Sequence, residues 1–400
     1  MVPSLRVPLS VAAASAVLAL GIDRRLAHAQ PVPAAGSAPA ESAAPPWTLG
    51  GYAEAYYQWN FAQPSNGITN ARGFDNRHDS FTISNVALDA QWDAKNVVGR
   101  AAIQLGHTPS TYYLAEPSLG GSGAANASGP ELWKYLQQAY AGYRFSGGVL
   151  VTAGLFLSPI GPEGIAVKDN WNWSRSNLFF GLPFYHTGVR VAVPVDDVWT
   201  ITLAAYNGWN SVVDNNEEKS AAMQVAYALP DRLTVGVVYF SGVERPTGAP
   251  EGRPWRHLLD GFVTWTATDR LSLMVHGDAG FERTRYGDSS WVAGALYGRV
   301  RVLAQVYVAA RVDAFREHVA SSAAGAAAPI FWPVSWVGSG TATLDYQPVD
   351  HVAFRLEYRH DHAAGDLFFA GSVSGDGAAT PYVPNRDSQN TVTAGATAWF

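Results

Sequence analysis

The chain contains no cysteine, which removes disulfides, thiol nucleophiles and thiolate metal sites together. It is also short of charge. Only 15% of its 400 residues are Asp, Glu, Lys or Arg, where a soluble globular domain carries about a quarter. A basic surface is missing as well: the net charge of -6 argues against a nucleic-acid partner, because phosphate binding needs Lys and Arg in excess. Long apolar runs are absent beyond the N-terminus. A transmembrane helix needs about 20 consecutive apolar residues, yet the mean hydropathy here is -0.04. What the sequence holds in quantity is glycine (39), tryptophan (14) and aromatic residues generally (12%). Apolar residues diluted one-for-one by polar ones are what a strand with one lipid face and one wet face requires.

The N-terminus reads as an export signal. Arg6 precedes an Ala-rich apolar stretch, Val7 to Ile22, and Ala27-His28-Ala29 offers small residues where a signal peptidase cuts, before Gln30. Residues 30–46 are rich in Pro, Ala, Ser and Gly without periodicity, and read as a disordered periplasmic lead. The barrel domain is then expected over 47–400.

From Trp47 onward apolar and polar residues alternate. Ala53, Ala55, Tyr57, Trp59 and Phe61 interleave with Glu54, Tyr56, Gln58 and Asn60; Val352, Phe354, Leu356 and Tyr358 interleave with Ala353, Arg355, Glu357 and Arg359. Period two is the strand signal, and a helix cannot gather such a set on one face. Strands are predicted at about 47–61, 77–93, 96–107, 131–145, 148–158, 184–194, 197–209 and 219–229, and then at 232–243, 256–267, 270–282, 289–301, 303–317, 333–347, 350–362 and 388–400. Long loops (62–76, 108–130, 159–183, 210–218, 243–255, 318–332, 363–387) follow odd-numbered strands, and short turns follow even-numbered ones. That rhythm predicts an all-β fold, a transmembrane antiparallel up-and-down barrel of about sixteen strands with both termini periplasmic. The junction near Val302 lacks a turn residue, and without that hairpin the number is fourteen. The last strand ends on Phe400, with Val392, Ala394, Ala396 and Ala398 on the same outward face, and resembles the signal read by the barrel-assembly machinery.

If the apolar set faces lipid, the other set lines the interior: Glu54, Arg100, Lys134, Arg144, Arg190, Asp278, Arg311, Asp313, Arg355, Glu357 and Arg359, together with Asp89, Asp260 and others. A charge at the lipid midplane costs about 2–4 kcal/mol, which fixes the side. Mixed signs in a water-filled lumen suit small polar solutes or ions. Trp59, Trp92, Trp133, Trp199 and Trp399 fall near strand ends, as an interfacial aromatic girdle does.

Gly154-Leu155-Phe156-Leu157-Ser158-Pro159-Ile160-Gly161, Asp169-Asn170-Trp171-Asn172-Trp173-Ser174-Arg175-Ser176 and Leu182-Pro183-Phe184-Tyr185-His186-Thr187-Gly188-Val189-Arg190 together resemble the β-barrel porin-2 family of OmpL-like porins. The resemblance implies a porin barrel whose loop after the fifth strand narrows the pore. That loop, 159–183, combines Glu163, Lys168, Asp169 and Arg175 with packing aromatics, and these four are the constriction candidates. Its alternative is a rigid external cap.

No cofactor is expected. Gly-x-Ser-x-Gly, Walker A and His-Glu-x-x-His patterns are missing. In Arg359-His360-Asp361-His362 alternation puts both histidines on one face and Asp361 on the other, so no His–Asp pair forms within the strand. Three readings stand: a diffusion porin, an outer-membrane enzyme of lipase or protease type, and a structural or adhesion barrel. The expected partners are outer-membrane lipid, the assembly machinery and the solute. The oligomer, monomer or trimer, is left open.

Overall fold

A computed structural model describes residues 46–120, 124–325 and 329–400. The signal expected at 1–29 and all but the last residue of the lead expected at 30–46 lie outside the described residues.

The strands are β1 (Trp47–Asn60), β2 (Ser80–Ala94), β3 (Val97–Leu105), β4 (Leu136–Arg144), β5 (Leu150–Leu157), β6 (Tyr185–Pro194), β7 (Trp199–Tyr206) and β8 (Ser220–Leu229). They continue with β9 (Leu233–Val243), β10 (Trp255–Thr266), β11 (Leu271–Thr284), β12 (Gly287–Leu303), β13 (Val306–His318), β14 (Trp336–Val349), β15 (Val352–Ala363) and β16 (Ser388–Trp399). Each pairs antiparallel with its chain neighbours, and β1 pairs with β16 from Tyr52↔Trp399 to Asn60↔Thr391, so the sheet closes into a barrel without an edge. Sixteen is therefore the strand number. The doubtful junction is a tight β12–β13 turn through Ala304 and Gln305, preceded by a bulge between Arg301 and Leu303. A bulge adds local twist and lets the chain reverse without Gly, Pro or Asn.

Alternation assigns the faces as the sequence implied. On β15, Ala353, Arg355, Glu357, Arg359 and Asp361 are buried, while Phe354, Leu356 and Tyr358 are exposed. The outward set, including Leu259, Val263, Leu273, Val275, Leu296, Val308, Val312 and Leu344, forms the apolar band a bilayer requires. Trp92 and Trp199 are exposed on that outer surface, joined by Trp255, Trp265 and Trp336. Two expected girdle residues differ. Trp399 shares the inward face with Thr397 and packs against Tyr52. Trp133 ends a short helix and donates from Nε1 to Ser128 Oγ at 2.8 Å.

The long connections gather at one end of the barrel and the short turns at the other. The second long loop holds two helices, α1 (His107–Tyr112) and α2 (Pro130–Trp133), so the strands expected at 96–107 and 131–145 are shorter than their apolar content suggested. Lys134 caps α2 and pairs with Glu131 at 2.6 Å, outside the wall where it was expected to line the lumen.

The wall is pinched where the third long loop departs. Gly154 of β5 (φ +139°) faces Gly188 of β6, and a Cβ on Gly188 would lie 2.0 Å from the Ala205 carbonyl oxygen. Replacing Gly188 by valine is expected to destabilise the folded barrel by about 1–3 kcal/mol through overpacking, read as a lower midpoint temperature for loss of the compact, fast-migrating form in unheated gels.

Candidate functional site

The third long loop, residues 158–184 and hereafter L3, joins β5 to β6. Prolines at 159 and 162 and glycines at 161 and 164 break any strand pattern at its start. Single 3-10 turns form at Val167–Asp169 and Phe179–Gly181. The loop is fastened to itself by polar side chains. Asn170 donates from Nδ2 to the Gly164 and Ala166 carbonyls (2.9 and 3.0 Å) and accepts from Gly164 N–H (2.9 Å). Arg175 donates to the carbonyls of Gly164 (3.1 Å), Trp173 (2.8 Å) and Ile165, and its guanidinium lies 5.1 Å from the Phe74 ring centre. Glu163 accepts from Ser176 N–H at 3.1 Å.

L3 does not stand outside the barrel. Its backbone is bound by charged side chains on the inward face of strands remote from β5 and β6. Carboxylates take its N–H groups. Glu54 of β1 accepts from Val167 (2.5 Å), Glu357 of β15 from Trp173 and Ser174 (2.6 and 2.9 Å), Asp313 of β13 from Asn177 (3.0 Å), and Asp260 of β10 from Gly161 (3.2 Å). Arginines take its carbonyls. Arg311 of β13 donates to Ser174 and Arg175 (2.6 and 3.1 Å), Arg355 of β15 to Val167 and Asn172 (2.8 and 3.2 Å), and Arg359 to Arg175. A loop away from water has N–H and C=O groups that must be paired. Here interior charges of both signs pair them.

Under the loop lies an apolar core inside the barrel: Ile160, Leu178 and Leu182 of L3 pack with Phe240, Leu258 and Phe315 of the wall. The sequence reading placed only polar residues on that face and missed it. On the other side of L3, Phe179 and Phe180 meet Phe74 at ring distances of 5.6 and 5.8 Å, linking L3 to the first long loop. That loop reaches the wall too: Arg72 pairs with Asp75 and with Asp361 (3.4 Å). In the second long loop Glu116 accepts from Val212 N–H (2.9 Å), Val213 N–H (3.3 Å) and Tyr185 O–H (2.8 Å). Burial pushes its carboxyl above the usual range, and those donors pull it partway back.

Of the residues singled out from the sequence, Glu54, Arg311, Asp313, Arg355, Glu357 and Arg359 are all buried against L3. Among the four constriction candidates, Lys168 and Asp169 pair with each other at 2.7 Å and keep partly exposed side chains. Glu163 and Arg175 differ from the expectation that they present charge across the pore: Arg175 is turned into the loop's own fold, and Glu163 is held between Ser176 of the loop and Arg311 of the wall (3.3 Å). Arg100 is clamped to Asp89 (Nε–Oδ1 2.9 Å), and Arg144 sits at the turn end with Asp93 (2.9 Å). Arg190 lies 3.6 Å from the Phe156 ring centre, with no acidic partner among the described residues. Asp278 accepts from Trp291 Nε1 at 2.8 Å, beside His276. The rim cluster is divided as alternation implied: Asp361 bonds Arg359 inside (2.7 Å), while His360 and His362 face outward, His362 against Trp336.

A closed antiparallel barrel of sixteen strands with an apolar outer band, short turns at one end and a loop bound across a polar interior is the architecture of an outer-membrane channel. The chain belongs to the family described as "Putative beta-barrel porin-2, OmpL-like", whose model matches residues 46–400. It is similar in fold to the outer membrane channel DcaP of Acinetobacter baumannii, with a TM-score of 0.53 and 12% identity over 88% of this chain and 97% of that one. An anion-selective porin from Comamonas acidovorans gives a TM-score of 0.55 with 11% identity over 88% and 99% of the two chains. OmpT of Vibrio cholerae gives 0.52 with 11% identity over 90% and 99%. At such identities the likeness speaks for the fold alone. No curated protein matches the sequence. The chain is thus a porin-type barrel of the outer membrane.

Proposed function

We propose that this barrel lets small polar solutes or ions diffuse passively across the outer membrane, with L3 setting the narrowest section of the path. The observation that carries the reading is the binding of L3 to β13 and β15, across the lumen from the strands it joins, and to β1 and β10 on either flank. A loop held that way must reduce the open cross-section. Lys168 and Asp169 are the L3 charges left partly exposed, and with Arg190 and Arg100 they are the groups a passing ion meets. In this reading both termini are periplasmic, 1–29 is a cleaved signal, 30–46 is a lead, and Phe400 is the residue the assembly machinery recognises. Phe400 is exposed, and its N–H and C=O pair with Gly51 at the barrel seam (3.0 and 3.2 Å). OmpT of Vibrio cholerae is described in a trimer form. Cross-linking of this chain in lipid distinguishes trimer from monomer.

Planar-bilayer recording of the refolded protein tests the function. Stable ohmic steps are expected, and folded barrels that insert without conducting would overturn it. Replacing Lys168 by Gln and Asp169 by Asn, one at a time, should move the reversal potential in a salt gradient in opposite directions, with the larger change at low ionic strength, where exposed charges are least screened. A reversal potential unmoved by either substitution would remove these residues from the constriction.

A further inference from the structure

We propose that Asp260, His276 and Asp278 form a binding site for one divalent transition-metal ion of the zinc type, set in the barrel wall at the root of L3. Asp260 lies on β10, His276 and Asp278 on β11, and all are buried on the inward face. In the β10–β11 ladder Asp260 stands directly opposite Asp278. One ligand atom from each of the three residues lies within 4.8 Å of the others, and His276 Nε2 is 2.6 Å from Asp260 Oδ2.

The site sets two buried carboxylates directly opposite each other. Like charges directly opposite each other across strands repel, and buried carboxylates need compensation. Four other interior carboxylates have arginine: Asp313 has Arg311, Asp361 has Arg359 and Arg72, Asp345 has Arg299 and Arg355, and Glu282 has Arg245 and Arg256. Glu54, Glu357 and Glu317 stand singly and take backbone N–H groups instead. Asp260 and Asp278 have no Lys or Arg partner among the described residues. Their other donors are neutral, Gly161 N–H and Trp291 Nε1–H. Even a protonated His276 leaves one negative charge over.

A second observation points to a ligand. Asp278 Oδ2 and His276 Nδ1 are both buried with no hydrogen-bond partner, on residues only 4% and 2% exposed. An orphaned carboxylate oxygen and an orphaned imidazole nitrogen two residues apart on one strand face are donor atoms of the kinds zinc takes. With the ion on His276 Nδ1 the imidazole stays neutral and keeps its Nε2 proton on Asp260, and a 2+ ion with two carboxylates leaves a neutral cluster. The L3 root lies against the site: a Cβ on Gly161 would come within 3.2 Å of His276 Cε1. The ion therefore enters when this root lifts, and once bound it favours the seated loop.

The test uses the full-length refolded barrel in detergent, stripped with chelator and titrated with Co2+, whose visible spectrum reports its ligands, then back-titrated with Zn2+. One saturable equivalent displaced by Zn2+ is expected. Asp278→Asn and His276→Gln should each weaken it by about 10-fold or more, whereas the double rim substitution His360→Ala and His362→Ala should leave it intact. No saturable binding, or binding unchanged in Asp278→Asn, would overturn the proposal. Should the wall variants fail to fold, copper–ascorbate footprinting of the native barrel decides the matter. Oxidation at His276 supports the site, and oxidation at the rim histidines alone removes it. The readout is metal binding, so the outcome is independent of whether the barrel conducts.

Discussion

Replacing Arg311 by alanine is expected to release L3 from the wall and raise the single-channel conductance severalfold. Arg311 lies between two buried carboxylates, Asp313 at 3.0 Å and Glu163 at 3.3 Å, and donates to the carbonyls of Ser174 and Arg175. Its removal strands both acids and unpairs two loop carbonyls. Breaking a buried ion pair from one side costs about 3–5 kcal/mol, and each orphaned polar group adds about 1–3. No other single residue described here joins the loop's own fold to the wall so directly. Trypsin supplies a second measurement, because L3 contains Lys168 and Arg175 and the latter is buried in the seated loop. Cleavage after Arg175 in the variant, with the native protein resistant, is the expected pattern. Arg311→Lys keeps the charge but loses the planar fork, and should fall between the two. Native conductance together with an uncut loop in Arg311→Ala would show that the remaining clamps suffice.

An opening of similar size is expected from a substitution that alters no charge. Gly395 faces inward from β16, and a Cβ there would meet Trp173 Cζ3 at 2.3 Å, so the indole fills the space a side chain would take. Trp173 is buried, 6.1 Å from the Tyr56 ring. Leucine at 395 must expel it. Displacing a buried indole forfeits about 3–5 kcal/mol, of the same order as the arginine effect but steric in origin. Conductance should rise in Gly395→Leu and fall back toward the native level when Trp173→Ala is added, since the smaller residue gives the leucine room. A Gly395→Leu barrel that folds, conducts as the native one does and resists trypsin would place the seat of Trp173 elsewhere. Salt separates the two variants. Only the Arg311 barrel should change ion preference, because only there do carboxylates lose their counter-charge.

The wall was largely legible in the sequence because it is a local property. Alternation between Val352 and Arg359, or between Ala53 and Asn60, assigns a face to each residue without reference to anything distant. What failed was local as well. Glu131, Leu132 and Trp133 were read as the start of a strand and His107 as the end of one, yet Pro130 just before the first of these suits a first helical turn. Trp399 ends an alternating strand as a girdle residue does, but its inward parity follows from Thr397 and outranks composition.

The site was half legible. That Arg311, Asp313, Arg355, Glu357 and Arg359 lie inside follows from the lipid face excluding charge. That they grip a loop does not, because their partners lie more than 130 residues earlier and no pattern links them. Reading the lumen as uniformly wet hid Phe240, Leu258 and Phe315. On β9 Val237 and Val238 are both apolar, so alternation there names no face. Glu163 and Arg175 were singled out for charge across the pore, but Arg175 serves the loop's internal fold and Glu163 fastens it to Arg311 of the wall. The Asp260–His276 pair needed the β10–β11 register, which length and composition do not supply.

The clamps on L3 also bear on how the chain reaches its final state. The carbonyls of Val167 and Arg175 are held by Arg355 and Arg359, 188 and 184 residues later, and the N–H of Val167 by Glu54, 113 residues earlier. Contacts so distant in the chain are made slowly, since a large loop entropy must be spent before they form. Five of the seven charged wall residues that hold L3's backbone lie on β13 and β15 and are not in place until those strands have joined the sheet. Seating of the loop is therefore a terminal event, downstream of the closing of the wall. A protease pulse during refolding should find Arg175 cuttable until the last hairpin is in place, which makes resistance at that bond a clock for completion of the barrel.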